Sequence, residues 1–214
     1  MGITERKLRE KEKRKVTIID AAEKIFFEQG FIEATMDEIA NQAELSKGTL
    51  YTYFKNKEEL FIAIAERAGQ IFHEEALASI CDKQSGYDKF RAILDSNTQC
   101  YFKYPNYFKL IALSNKYIGS LIKGPESIER LKKIEEHFYI EMLKAVESGI
   151  QDKTMSYVDN AMSYVMIISI LQHQLLSFLA ENGEMLKLMY NYEEQEIIDY
   201  ANKIFFGEIA PPKK

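Results

Sequence analysis

The sequence predicts an all-α protein, and three observations carry that prediction. Only 10 Gly and 4 Pro occur in 214 residues, too few for the frequent turns of a β-sandwich or barrel. Apolar residues recur at helical spacing along most of the chain. A hydrophobic share of 46%, with 12% aromatic residues, is enough for a sizeable core and argues against disorder. The two cysteines cannot build a disulfide framework, and no apolar run opens the chain as a secretory signal would, so a cytoplasmic protein is expected.

The elements follow in order. Residues 11–29 place Val16, Ile19, Ala22, Ile25 and Phe26 on one side of a helix, and Gly30 suits the left-handed residue that ends it. Thr35-Met36-Asp37-Glu38 reads as a capping box, in which the Thr hydroxyl covers an orphan N–H and the Glu reaches back. Behind it Ile39, Ala40 and Ala43 give a short helix, and a break at residues 43–46 precedes a second one over 47–54. Ser46 is its expected N-cap, with Leu50 and Phe54 on one face. Asn56, with Glu59 three residues on, opens a longer helix to about Cys81. Further helices are expected over 87–104, 105–119, 125–149, 155–182 and 193–206, with a break at Asn182-Gly183 and first-turn prolines at Pro105 and Pro125. Residues 161–180 are apolar enough to suggest a membrane span, but Gln172, His173 and Gln174 in the middle favour a helix packed on both sides.

Charge is unevenly placed. Residues 1–15 carry seven Lys/Arg against three Glu, while residues 58–214 carry 17 basic and 23 acidic side chains. A basic tip on an acidic body meets a polyanion by one end only. A charge run of this kind is also what a solvated helix start looks like, so the tip needs a motif behind it.

That motif is the pair of short helices joined by a tight turn, braced by the first helix, which suits a helix-turn-helix DNA reader. Lys47, Gly48, Thr49, Tyr51, Thr52 and Tyr53 are the expected outer face of the second short helix, with Leu50 and Phe54 anchoring it. Lys47 suits a phosphate or a base acceptor, and Gly48 lets backbone approach DNA closely. Thr49 and Thr52 offer a hydroxyl and a methyl to base edges, and Tyr51 and Tyr53 donate to phosphates. Thr35 and Lys57 open helices, where N–H dipoles favour a phosphate. Tyr51 and Tyr53, two residues apart, cannot both share the core face of Leu50 and Phe54.

The stretch from Thr35-Met36-Asp37-Glu38-Ile39-Ala40 through Leu45-Ser46-Lys47-Gly48-Thr49-Leu50-Tyr51-Thr52-Tyr53-Phe54 to Lys55-Asn56-Lys57-Glu58-Glu59-Leu60 resembles the N-terminal signature of the TetR family of transcriptional regulators. The preceding segment from Ile19 to Phe31 matches that family's first helix, and the resemblance covers roughly residues 15–62. One departure is Glu44, where the family often has Gly, which would ease the turn. The resemblance implies a DNA-binding domain over residues 1–62 and a helical ligand-binding and dimerisation domain over 63–214. It also implies a homodimeric regulator, more often repressor than activator, on a palindromic operator.

The larger part holds a surplus of Tyr, Phe and Met. Most such stripes are plain core, but together they suit a pocket for an apolar or amphipathic effector. Asn97, Tyr101, Phe108, His137, Phe138, Met162, Met166 and His173 are the expected lining. Effector binding there would move the helix over 57–81 and change the spacing of two DNA-reading heads. Spare apolar faces on the helices over 155–182 and 193–206 suggest the dimer contact. No nucleophile beside a base, no phosphate loop and no metal-ligand spacing is found, so neither catalysis nor a cofactor or metal is expected. The competing readings are a ligand-independent architectural DNA-binding protein on the same fold, and an enzyme or carrier with an incidental helix-turn-helix.

Overall fold

The computed structural model describes residues 3–110, 124–156 and 159–207. Their helices are α1 (Ile3–Gln29), α2 (Met36–Gln42), α3 (Lys47–Tyr53), α4 (Lys57–Ile80), α5 (Gly86–Lys103), α6 (described over 105–110), α7 (Pro125–Gln151), α8 (Ala161–Tyr190) and α9 (Glu194–Gly207). No strand occurs among the described residues, so the fold is all-α. The expected extent of the helix over 105–119 beyond residue 110, and the Pro-rich tail from Ala210, lie outside them.

The chain divides into two units. The first gathers the residues up to Arg67 with the start of α7 as far as Leu131. Ile18, Ala22, Ile39, Leu50 and Leu60 are fully buried in it, and burial of each large apolar side chain contributes about 1.5–3 kcal/mol. Phe31 meets Phe26 and Phe61 edge to face, with ring centres 5.3 and 5.5 Å apart. Two adjacent residues of α4 add ion pairs on different partners. Arg67 reaches Asp20 at 2.8 Å and Glu23 at 2.5 Å on α1, while Glu66 takes both ends of the Arg130 guanidinium at 2.7 and 2.5 Å. A forked pair of that kind fixes direction as well as distance.

The second unit runs from Ala68 to Ala112 and from Lys132 onward. One cluster joins Phe90, Ile93 and Leu94 of α5 to Met142 and Val146 of α7 and Val165 of α8. Another joins Tyr101, Phe108, Leu176, Leu179 and Ile198. The loop after α7 caps the start of α5: the Gly86 N–H donates to Asp152 at 2.8 Å and the Tyr87 N–H to Thr154 at 3.2 Å. Gly86 has no room for a side chain, because a Cβ would strike the Gly149 backbone and the Ala145 carbonyl.

Two elements depart from the sequence expectation. α1 begins at Ile3 instead of residue 11, because Lys, Arg and Glu are good helix formers and Arg6 pairs with Glu10 one turn on at 3.0 Å. α8 begins at 161, where Asn160 accepts the Ser163 N–H at 2.8 Å, and it runs through Asn182-Gly183 to Tyr190. Gly183 is a packing residue: a Cβ there would meet the Glu194 carboxylate. The helix ends at Asn191, which takes the left-handed conformation at φ 56° and donates its N–H to the Lys187 carbonyl at 3.0 Å.

Candidate functional site

The first unit gathers three helix starts. At α2, the Thr35 hydroxyl accepts the Glu38 N–H at 3.2 Å and the Glu38 carboxylate accepts the Thr35 N–H at 2.9 Å, which closes the capping box. The Thr35 hydroxyl, which donates to the same carboxylate at 2.7 Å, and then the Thr35 N–H hold the Glu38 carboxyl below its ordinary value. At α3, Ser46 accepts the Thr49 N–H at 3.1 Å. At α4, Asn56 accepts the Glu59 N–H at 2.9 Å. Gly30, at φ 86°, ends α1 in the left-handed conformation that only glycine adopts without strain. Glu44 occupies the same region at φ 55°, so the turn between α2 and α3 does need what a glycine would give.

Side chains tie these starts together. Lys47 reaches back from α3 to Asp37 of α2 at 2.7 Å. Lys57 donates to the carbonyls of Ile32 and Ala34 at 2.8 and 2.7 Å, and its ammonium lies 4.8 Å from the Phe31 ring centre. Partial burial lowers the Lys57 pKa, against the pull of Glu58, Glu33 and Glu38. Thr35, Lys47 and Lys57 therefore belong to one neighbourhood, since Thr35 adjoins Ala34 and lies two residues before Asp37.

Four of the six residues expected on the outer face of α3 are exposed. Lys47, Gly48, Tyr51 and Thr52 are exposed, Thr49 and Tyr53 half-buried, and Leu50 and Phe54 buried. Thr52 commits its proton to the Thr49 carbonyl at 2.7 Å, which leaves its oxygen lone pairs and methyl for a base edge. The Lys47–Asp37 pair is exposed, so exchanging it for a phosphate loses little. Asp37 and Phe31 escaped the sequence reading; an acid in the first turn of α2 was visible, but its partner ten residues on was not.

In the second unit, four of the eight expected lining residues come together. Asn97 donates to the Gln172 side-chain oxygen at 3.0 Å, and Gln172 donates to the Leu94 carbonyl at 2.8 Å. The Tyr101 ring meets Phe108 edge-on at 5.5 Å, and the His173 ring centre lies 6.4 Å from that of Phe108. Burial holds the His173 imidazole below its ordinary pKa. The Tyr101 hydroxyl donates to Glu194 at 2.6 Å, and its pKa is raised, first by burial and then by that carboxylate. Glu194 was missed because a charge in the first turn of a helix is ordinary.

Met162 and Met166 do not join this group. Both are exposed on α8, whose buried side runs through Val165, Ser169, Gln172 and Leu176. The expected face is rotated by a fraction of a turn from the observed one, because the helix is apolar nearly all round and the pattern does not fix its rotation. The His137 and Phe138 side chains lie outside the described residues. The outer side of α8 leaves Ile167, Leu171 and Phe178 exposed, and α9 leaves Tyr200 and Ile204 exposed. Although α8 is long and apolar enough to cross a membrane, its buried Gln172 and Ser169 are hydrogen-bonded within the unit.

Residues 18–64 match the family of bacterial regulatory proteins, tetR family. The fatty acid metabolism regulator protein of Bacillus subtilis (strain 168) is 33% identical over 91 residues, which span 42% of this chain and 46% of that protein. The matched stretch is thus about half the length of this relative. Among solved structures, the transcriptional regulator FadR from Bacillus subtilis, in complex with stearoyl-CoA, superposes with a TM-score of 0.69 at 19% identity, covering 89% of this chain and 96% of that one. AibR, in complex with isovaleryl coenzyme A and operator DNA, gives a TM-score of 0.66 at 18% identity, covering 91% and 99%. The helix-turn-helix signature over residues 18–64 is thus similar to that of the bacterial regulatory proteins of the tetR family, and the all-helical fold behind it is shared with these two solved structures.

Proposed function

We propose that the chain is a ligand-responsive transcriptional repressor that works in the cytoplasm, binds a palindromic operator as a homodimer and is released by an apolar or amphipathic effector. The observation that carries the DNA-binding part is the exposed face of α3 beside the gathered starts of α2, α3 and α4. In this reading residues 1–62 are the DNA reader and residues 63–214 bind effector and partner. Thr35, Lys47, Tyr51, Tyr53 and Lys57 hold phosphates, while Gly48, Thr49 and Thr52 face bases. The exposed apolar sides of α8 and α9 meet their copies in the dimer. The protein acts by binding, without turnover.

For the effector, the Asn97–Gln172 pair and the Tyr101, Phe108 and His173 rings supply a few polar groups among apolar walls. The stearoyl-CoA and isovaleryl coenzyme A complexes of the two structural neighbours make an acyl thioester the effector class to test first. Reciprocal coupling requires effector and operator to weaken each other by the same factor.

The test begins with selection of random-sequence duplex DNA by the purified protein at physiological salt. A two-fold symmetric site is expected, lost in the Tyr51→Ala/Lys57→Ala variant. Titration of stearoyl-CoA and shorter acyl thioesters against that operator follows, with anisotropy as the readout. Recovery of no sequence overturns the operator reading, and an operator affinity indifferent to every acyl thioester overturns that effector class.

A further inference from the structure

Among the described residues nothing packs on the first half of α1. Residues 4–14 are exposed throughout, and burial begins only at Ile18. Lys7, Lys11, Arg14 and Lys15 follow i, i+4, i+7, i+8 spacing and so form one stripe, about 12 Å long at the helical rise. Continued along the helix, the same stripe becomes Ile18 and Ala22, both fully buried in the core of the first unit. The cations therefore overhang on the side where the head lies, not away from it. Of the nearby acids, Glu10 is held by Arg6 at 3.0 Å, and Glu5 and Glu12 project from the far side of the helix.

Nothing inside the fold explains this arrangement. Among the described residues none of the four cations takes part in an ion pair, whereas Arg67, Arg130 and Lys103 elsewhere in the chain all do. Neighbouring like charges at i, i+4 weaken a helix in isolation, so the stripe works against the element that carries it. A matching external charge reverses that sign. The chain after the helix-turn-helix is acidic, with 23 acidic against 17 basic residues over 58–214, so its net charge does not draw a polyanion away from this end.

We infer that the Lys7–Lys11–Arg14–Lys15 stripe is a second DNA-binding surface, which grips backbone phosphates outside the base pairs contacted by α3. The inference rests on the DNA-reading function proposed above and extends the footprint beyond the helix-turn-helix. One strand of a duplex carries one charge per about 3.4 Å of axis, so a stripe of about 12 Å has room for three or four phosphates. Contact of this kind carries no sequence information; it raises affinity on every duplex and makes binding steeply salt-dependent.

The experiment compares wild type with Lys7→Gln/Lys11→Gln/Arg14→Gln/Lys15→Gln on a random-sequence duplex of about 40 base pairs, by anisotropy across about 50–200 mM salt. Glutamine keeps the helix, and circular dichroism with a thermal midpoint checks the fold. The slope of log K against log salt is expected to shrink by about 3, with at least a tenfold loss of affinity at the middle of the range. Lys7→Gln/Lys11→Gln, entirely within the unpacked part, is expected to lose about half as much. A second control, Arg6→Gln/Arg9→Gln/Lys13→Gln, removes charge from the other side of the helix. An unchanged slope in the four-site variant, or an equal loss in this control, overturns the stripe as a site and leaves the helix-turn-helix reading standing. Absence of any salt-sensitive duplex binding by wild type overturns that reading and the stripe with it.

Discussion

Gly48 separates what α3 needs for stability from what it needs for binding. A Cβ at this position would find only the Ser46 hydroxyl at 4.0 Å, so alanine fits without strain. Gly48→Ala is therefore expected to stabilise the head by about 0.5 kcal/mol through the lower flexibility of the unfolded chain. If backbone at residue 48 lies against DNA, the same substitution weakens operator binding at least several-fold. Urea unfolding and anisotropy on one protein preparation check both; higher stability with unchanged affinity would remove Gly48 from the interface. His173 gives a pH dependence. Its native pKa is held below 6.5 by burial, so as pH falls through 6.5 the unfolded chain binds a proton that the native one refuses. Stability contributed by neutral His173 is thus complete above that value and declines below it. The Glu38 and Asp152 carboxyls, both lowered, titrate well beneath this window. The thermal midpoint is expected to fall more between pH 7 and 5 for wild type than for His173→Gln.

At the scale of elements, the two packing glycines differ in what stands against them. At Gly86 the obstacle is backbone, the Gly149 nitrogen and the Ala145 carbonyl, and α5 and α7 must separate to admit a methyl. Gly86→Ala is expected to destabilise by at least about 2–3 kcal/mol. At Gly183 the obstacle is the end of a flexible side chain, and Glu194 can swing aside at the loss of its hydrogen bond from Tyr101. That bond is worth about 1 kcal/mol, and helix propensity returns a similar amount. Gly183→Ala is accordingly expected to be near neutral in wild type and stabilising in a Tyr101→Phe background, where no bond remains to lose. Chemical denaturation of the three variants decides it; a Gly86→Ala protein as stable as wild type would contradict the close crossing.

These elements also indicate where sequence suffices. Capping at Thr35, Ser46 and Asn56 was legible because a cap is a contact over three residues, and the pattern holds all of it. The left-handed position at Gly30 was legible for the same reason, whereas the one at Glu44 was marked only by the family resemblance, in which glycine often stands there. Asn182-Gly183 misled, since glycine serves both chain reversal and close approach, and only Glu194, eleven residues away, distinguishes them. The rotation of α8 misled in turn: with Met, Ile and Leu on nearly every side, burial is decided by which surface the neighbours occupy. The residues proposed to face DNA lie in one short stretch, whereas Asn97, Gln172, Tyr101 and Glu194 are joined by contacts 75 and 93 residues long.

For the whole molecule, the exposed apolar row on α8 is the feature with the largest consequence. Ile167, Leu171 and Phe178 recur at i, i+4 and i+11, and Phe178 is 49% exposed. If this row seals a dimer, Phe178→Arg places an unpaired charge in it. Light scattering at micromolar concentration is expected to give twice the chain mass for wild type and close to the chain mass of 24.9 kDa for the variant. Cooperative operator binding is expected to disappear with the dimer. A dimeric Phe178→Arg protein would move the contact elsewhere.

The two cysteines are environments apart. Cys100 is buried in the second unit's core, where burial pushes its thiol up to about 11, while Cys81 is exposed just past the end of α4. Since the thiolate is the reactive form, an aromatic disulfide reagent at neutral pH is expected to consume one thiol per folded chain quickly and the other only as the chain opens. The protein thus carries its own labelling chemistry. A fluorophore can be attached at Cys81 without engineering, at the very end of the helix that begins with Lys57, and the late second equivalent is a clock for unfolding.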